Sequence, residues 1–98
     1  MSIIRITVRT FQNEQHAEMF ILMAQRIAQE ATKEKFKTNM KVVQNKNLKN
    51  QVTSIWQYDD KHVKEVRSYL SKHSALPNSL SPKEVVYFGD VVIDTSAQ

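Results

Sequence analysis

The chain has 98 residues, 41% hydrophobic and 24% charged, and its 14 Lys and Arg against 10 Asp and Glu give a net charge of +4. This size predicts one domain, residues 1–98, and no apolar run approaches the roughly 18 residues that would span a membrane. The absence of cysteine excludes a disulfide, a thiolate metal site and a cysteine nucleophile. The N-terminal residues alternate apolar and polar, which is not the pattern of a signal peptide, and the cytoplasm is the expected compartment.

The first predicted elements are a strand and a long helix. Ile4, Ile6 and Val8 alternate with polar residues, the period of a half-buried strand. Asn13 is placed to cap an amphipathic helix over roughly residues 13–35. Apolar residues recur along it at helical spacing: Ala17, Phe20, Ile21, Ala24, Ile27, Ala28 and Ala31.

The second half of the chain predicts a hairpin, a shorter helix and a last strand. One hairpin strand starts at Met40, Asn45 to Asn50 supply turn residues, and the partner strand runs from Val52 to Tyr58. Asp59 or Asp60 can cap the second helix, which ends before Pro77. Its apolar face is formed by Val63, Val66, Leu70 and His73, and β-branched residues from Val85 to Ile93 predict the final strand.

The element order βαββαβ predicts an α+β fold, a ferredoxin-like sandwich. Short connections and right-handed crossovers give a four-stranded antiparallel sheet of order 4-1-3-2, with two helices on one face. We expect the last strand to lie beside the first in a register that pairs charge with charge and apolar with apolar. The expected pairs are Arg5 with Asp94, Arg9 with Asp90, Ile6 with Ile93, and Val8 with Val91.

The alternation assigns Ile4, Ile6 and Val8 to the helix-facing core, with Val91 and Ile93. The opposite face then mixes apolar and polar residues: Arg5, Thr7, Arg9, Phe11, Thr53, Ile55, Gln57, Phe88 and Val92. Exposed apolar patches of this kind mark interaction surfaces, so we expect a second copy to cover this face in a homodimer. The alternative is an open sheet in water.

A tryptophan, an acidic turn and a histidine-bearing helix follow each other between Ser54 and His73. This arrangement resembles the antibiotic biosynthesis monooxygenase domains and the wider dimeric α+β barrel superfamily. The resemblance implies a sheet that faces its twin, and a cleft between helices and sheet for an aromatic or lipophilic ligand, sometimes haem or a quinol that reacts with oxygen without a cofactor. It matches Trp56 to the pocket tryptophan and His62 or His73 to the histidine of the second helix.

The same cleft collects the candidate binding residues. Trp56 suits a cleft wall, His73 has the pKa range of a general base, and Arg9 or Arg26 can hold a carboxylate in two-point geometry. Met19, Leu22 and Met23 widen the apolar face of the first helix. The predicted ligand-binding residues are Trp56, Tyr58, Tyr87, His73, Met23, Phe20, Arg26 and Arg9. Each of the aromatic residues is equally explained as ordinary core, and His73 as a helix-end hydrogen-bond donor.

Two functions of different class follow from this cleft. The first is binding of a lipophilic or amphipathic small molecule, for example a fatty acid-like carboxylate, and the second is a cofactor-independent monooxygenase with His73 as its catalytic residue. Whether the chain is an enzyme stays open, and no cofactor is expected. RNA binding lacks the stacking aromatics on central strands, and the three histidines do not have metal-site spacing, so neither nucleic acid nor metal is expected.

Overall fold

The computed structural model describes residues 2–31, 38–73 and 76–95. They form β1 (Ser2–Thr10), α1 (Glu14–Ala31), β2 (Thr38–Gln44), β3 (Gln51–Asp59), α2 (Val63–His73) and β4 (Lys83–Asp90), with a short 3-10 turn, Asp60–His62, before α2. The strands pair in the order β2-β3-β1-β4, and every pair is antiparallel. The predicted ferredoxin-like architecture and its strand order are therefore confirmed.

Both predicted caps form: Asn13 caps α1, and Asp59 caps the 3-10 turn that leads into α2. The Asn13 Oδ1 accepts a hydrogen bond from the His16 amide at 2.9 Å, and the Asp59 Oδ1 accepts one from the Lys61 amide at 3.0 Å. These bonds satisfy amide hydrogens that have no partner inside the helix. The bond from the Lys61 amide also holds the pKa of the Asp59 carboxyl below its usual value. The predicted C-terminal end of α1 falls outside the described residues.

The register of β4 differs from the prediction. Arg9 lies opposite Glu84, and Arg5 lies opposite Phe88, instead of facing Asp90 and Asp94. The strand ends at Asp90, and the Val91 amide donates one further bond to the Ser2 carbonyl at 2.9 Å. Arg9 is therefore paired with a carboxylate, as expected, but the carboxylate is Glu84 instead of Asp90.

The two faces of β1 are also reversed relative to the prediction. Thr7, at 4% exposure, and Phe11, at 3%, are buried toward the helices, and the same alternation places Arg5 and Arg9 on that side. Ile4, Ile6 and Val8 lie on the outer face, the one without helices. Strand β3 has the predicted orientation, because its even-numbered residues are buried against the helices: Val52, Ser54, Trp56 and Tyr58.

The core between helices and sheet is divided in two. One cluster contains Ile3, Ile27, Trp56, Tyr58, Val66 and Tyr69. The other contains Phe11, Ala17, Phe20, Ala24, Val52 and Leu80. Met23 and Met40 are the half-buried residues that pack against both. Thr7 on β1 and Ser54 on β3 lie opposite each other on the helix-facing side of the two central strands. Arg5 and Trp56 form the neighbouring pair on the same side. This division leaves room for a polar cavity.

Candidate functional site

A cavity of about 60 Å³ lies between the helices and the sheet. Strand β1 contributes its polar side chains, β3 contributes Ser54 and Trp56, and α1, α2 and β2 contribute apolar side chains. The described residues that line it are Arg5, Thr7, Arg9, Phe20, Ala24, Ile27, Met40, Ser54, Trp56 and Leu70. We call it the arginine cavity, because Arg5 and Arg9 are the charged residues of this described lining.

Arg9 is the best-positioned side chain of the arginine cavity. Its side chain is only 15% exposed. Its Nη1 donates to the Ser54 hydroxyl at 3.2 Å, and its guanidinium carbon lies 4.8 Å from the centre of the Phe20 ring, a cation-π distance. The Nε lies 3.7 Å from the Glu84 Oε1, which is an ion pair but too long for a hydrogen bond. The buried Nε has no hydrogen-bond partner among the described residues.

The charge in the cavity is not balanced. Arg5 and Arg9 are two positions apart on the same face of β1, and Glu84, half-exposed on the edge strand, is the acid that neighbours Arg9. Burial lowers the pKa of the Arg9 guanidinium; Glu84 partly offsets that effect, and Arg5 adds to it. The protonated form of Arg9 is therefore less favourable here than in water, which is the situation that a bound anion relieves.

The apolar wall includes predicted residues. Trp56 and Phe20 both line the arginine cavity, and they approach it from different core clusters. The structure thus brings together Trp56, Phe20 and Arg9 from the predicted set. Met23 is half-buried between the two clusters without lining the cavity.

The remaining predicted residues lie elsewhere. Tyr58 is buried in one core cluster, away from the lining. Tyr87 is 63% exposed on the outer face, where its ring lies against Gly89, so the prediction that it shares a cleft with Trp56 is wrong. Arg26 is exposed on α1, so that of the two arginines predicted as ligand-binding only Arg9 lines the cavity. His73 is the last residue of α2, and its side chain lies outside the described part of the structure.

Sequence reasoning missed Arg5, Thr7, Ser54 and Met40 as cavity residues. The signal for β1 was present: Ile3 and Phe11 have the same parity as Arg5 and Arg9, so apolar residues mark both ends of the helix-facing side. Ile4, Ile6 and Val8, the β-branched residues at even positions, indicated the opposite orientation of β1. Once β1 is oriented by Phe11, the pairing with β3 places Thr7 beside Ser54.

The outer face of the sheet is largely apolar. Strand pairing places Ile6 opposite both Ile55 and Tyr87, and Val8 opposite Val85. Val85 is 69% exposed. The apolar side chains of this outer face are Ile4, Ile6, Val8, Val43, Ile55, Val85 and Tyr87, and the polar residues Asn39, Lys41, Thr53 and Gln57 lie on the same face.

The predicted interface residues divide between the two sides of the sheet. Thr53 and Ile55 lie on the outer face as expected. Five others lie on the helix-facing side: Arg5, Thr7, Arg9, Phe11 and Phe88. Val92, 84% exposed, follows the end of β4. The predicted interface was wrong for β1, because its arginines line the cavity and its aliphatic residues lie on the outer face.

The described residues contain no group of three acidic, histidine or cysteine side chains able to hold a metal ion. His62 pairs with Glu65 through its Nδ1, 2.9 Å from the Oε2. No helix of the described part is long and apolar enough to cross a membrane.

Comparison with solved structures identifies the fold. SnoaB, a cofactor-independent oxygenase from Streptomyces nogalater, matches with a TM-score of 0.74 at 11% identity, over 96% of each chain. A dimeric ferredoxin-like protein from an uncultured marine organism matches with a TM-score of 0.71 at 10% identity, over 95% of this chain and 90% of that one. An antibiotic biosynthesis monooxygenase matches with a TM-score of 0.60 at 11% identity, over 92% of this chain and 99% of that one.

No protein-family model and no curated protein matches the sequence. The likeness is therefore structural. The predicted likeness to antibiotic biosynthesis monooxygenases and dimeric ferredoxin-like proteins is confirmed for the fold alone.

Proposed function

We propose that this protein binds an amphipathic anion, such as a fatty acid-like carboxylate, in the arginine cavity. The observation that carries the proposal is Arg9: its side chain is 15% exposed, its buried Nε has no hydrogen-bond partner among the described residues, and its Nη1 bonds to Ser54 beside an apolar wall. A guanidinium binds a carboxylate through two parallel hydrogen bonds. Trp56 and Phe20 supply the surface for the apolar part of the same molecule.

The energetics support an anion over a neutral ligand. A buried cation costs several kcal/mol in lost hydration, on the order of the gain from a well-placed counter-ion. Glu84 lies at the 3.7 Å distance of a weak pair and remains partly in water, so it offsets little of that cost. A carboxylate in the cavity replaces the missing partner of Arg9 and lies near Arg5 as well.

The direct test compares decanoate with decanol, which share an apolar chain and differ in charge. We expect decanoate to raise the melting temperature and decanol to have little effect. At a ligand concentration 100 times Kd, the stabilisation is about 2.7 kcal/mol, or at least ~10 °C for a domain of this size. Native mass spectrometry then checks for a bound molecule.

Two arginine variants assign the anchor. Arg9→Gln should weaken decanoate binding at least tenfold, because it removes the charge that the carboxylate meets. Arg26→Gln, which removes an exposed arginine from α1, should leave the affinity unchanged. Equal binding of decanoate and decanol to the unmodified protein, or equal loss in both variants, would refute the proposal.

We also propose that the outer face pairs with the same face of a second copy. Apolar side chains cover the centre of this face, and patches of this kind on soluble proteins mark interaction sites. A two-fold pair makes each patch its own complement. The match in fold to a dimeric ferredoxin-like protein supports a homodimer.

A cofactor-independent monooxygenase is the second candidate. The observation that favours it is the match to SnoaB, an oxygenase of that kind, over 96% of this chain. Fold alone does not carry an activity, so the test is direct: oxygen uptake with hydroquinone substrates, compared between the unmodified protein and Arg9→Gln. Uptake that needs Arg9 would favour the oxygenase, whereas decanoate binding without uptake would favour the binding function.

A further inference from the structure

The arginine cavity adjoins a second space. A groove of about 400 Å³ runs between α1 and β2, lined by Ile21, Ala24, Gln25, Ala28, Met40, Val42 and Gln44. Ala24 and Met40 line both the groove and the arginine cavity. Ala24 is a small residue on α1, and Met40 lies on β2 opposite Trp56. These two residues therefore form the partition between the spaces.

The two spaces differ in size and in charge. The arginine cavity, at about 60 Å³, has room for a few water molecules or for a charged head group. Small-molecule sites in proteins usually enclose roughly 300–1,000 Å³. The groove has such a volume, and the described residues that line it have apolar and amide side chains without a charge. The cavity therefore suits the anionic head of an amphipath, and the groove has room for its apolar tail.

We propose that the ligand is an elongated, straight-chain amphipath whose anionic head occupies the arginine cavity and whose tail passes Met40 into the groove. This inference rests on the proposed function and specifies its ligand class. The head is held by Arg9 and Arg5, and the tail lies along Ala28 and Val42. A compact aromatic acid of the same charge fills the first space but gains nothing from the second.

Met40 is suited to the passage. Its side chain is half-buried and packs against both core clusters. Methionine has an unbranched, flexible side chain that adapts to irregular apolar partners. Because β2 is an edge strand of the sheet, it is held by one neighbouring strand only. A change of the Met40 rotamer therefore opens the passage without breaking a sheet pairing.

The test is a series of straight-chain carboxylates from butanoate to hexadecanoate, with affinities measured by isothermal titration calorimetry. For the unmodified protein we expect affinity to rise about fourfold per methylene once the tail reaches the groove. The rise should stop when the groove is filled. A branched or aromatic acid of equal carbon number should bind less tightly than the straight-chain acid.

Two variants locate the tail. Ala28→Leu narrows the groove only, and Met40→Phe fills the passage. Ala28→Leu should leave butanoate affinity within about twofold and weaken dodecanoate binding at least tenfold, whereas Met40→Phe, at a residue that lines both spaces, should weaken the binding of both acids. Glu18→Leu adds the same apolar side chain at an exposed position of α1 that lines neither space, and it should change neither affinity.

The outcomes separate the two proposals. If no carboxylate of any length binds, the proposed function fails. If short acids bind through Arg9 but affinity does not depend on chain length, the proposed function stands and the elongated ligand is refuted. The length series on the unmodified protein decides this even where a variant fails to fold. Equal loss of short and long acids in Ala28→Leu would also overturn the placement of the tail.

Discussion

The two faces of the sheet differ in composition, and along β1 the difference is the reverse of the usual one for a sheet with helices on one side. The face toward the helices carries Arg5, Thr7 and Arg9 along β1, whereas the outer face carries Ile4, Ile6 and Val8 along the same strand. In an ordinary antiparallel sheet the aliphatic residues face the helices and the charged ones face water. The difference teaches that β1 serves two surfaces: a polar cavity inside and an apolar contact outside.

This reversal has an energetic consequence for each face. The arginines toward the helices include a buried donor, the Arg9 Nε, that has no hydrogen-bond partner among the described residues, and such a group lowers stability. Aliphatic residues on the outer face lose contact with water only when another surface covers them. The fold is therefore expected to gain stability from an anion on one side and from a second copy on the other.

The largest expected effect is on the outer face. Ile6 lies at its centre, opposite Ile55 and Tyr87. Ile6→Lys places a charge in the middle of the proposed interface, and central residues of that kind contribute roughly 2–4 kcal/mol to association. We expect the dimer dissociation constant, measured by sedimentation equilibrium, to rise at least about 30-fold.

Val92→Lys is the matched control for this experiment. Val92 is an apolar residue with 84% of its surface exposed, and it follows the end of β4 instead of lying on the outer face. Its substitution should leave dimerisation unchanged. A protein that is already monomeric before substitution, or a dimer that survives Ile6→Lys, would contradict the proposed interface.

The next effect separates a binding role of Arg9 from a structural one. Arg9→Met removes a buried charge beside Arg5 and retains an unbranched side chain over Phe20. Glu84 is partly exposed, so water replaces its lost partner. We expect the ligand-free protein to be as stable as before, or more stable by about 1 kcal/mol, by urea denaturation. The same variant should no longer be stabilised by decanoate.

Ile3→Ala provides the contrast on the same side of β1. Ile3 is buried in a core cluster, at 6% exposure, and its truncation should cost about 2–5 kcal/mol. If Arg9→Met destabilised the protein by a similar amount, Arg9 would be a structural residue, and the argument for an anion at the cavity would lose its basis.

The sequence predicted the architecture but not the orientation of β1. Helical spacing, Asn13 and the Asp59 turn located the helices, and Trp56 with Tyr58 oriented β3, because bulky aromatics on one side of a strand indicate the core. Strand β1 has medium-sized apolar residues on one side and arginines between Ile3 and Phe11 on the other. Period-two alternation shows which residues share a face of the strand. It does not show which face is turned toward the helices when charged residues line a cavity there.

The cavity was therefore predicted only in part. Trp56, Phe20 and Arg9 were identified individually, from aromatic size and guanidinium chemistry. Arg5 and Met40 were missed because their place depends on strand register, which no local pattern fixes. The β4 register was missed for a related reason: several carboxylates, Glu84 among them, satisfy the same rule of charge pairing with Arg9.

The smallest expected effect compares two buried tyrosines on the helix-facing side. The Tyr58 hydroxyl is buried without a hydrogen-bond partner among the described residues, whereas the Tyr69 hydroxyl donates to the Ile27 carbonyl at 3.2 Å. An unsatisfied buried polar group costs about 1–3 kcal/mol, and a satisfied one contributes about 1 kcal/mol. At pH 7 we expect Tyr58→Phe to raise the unfolding free energy by about 1 kcal/mol and Tyr69→Phe to lower it by a similar amount.

The pH dependence of the same pair of proteins sharpens this comparison. Burial raises the pKa of Tyr58 above its ordinary value of 10.0, although Arg5 and Arg67 oppose the shift. The folded state then keeps a proton that the unfolded state loses, so this contribution to stability is complete below pH 10 and disappears as the pH rises through the folded pKa. Urea denaturation at pH 9 and pH 11 should show a smaller loss of stability for Tyr58→Phe than for the unmodified protein. Equal losses would mean that the Tyr58 hydroxyl is hydrated, and that this end of the helix-facing side is open to water.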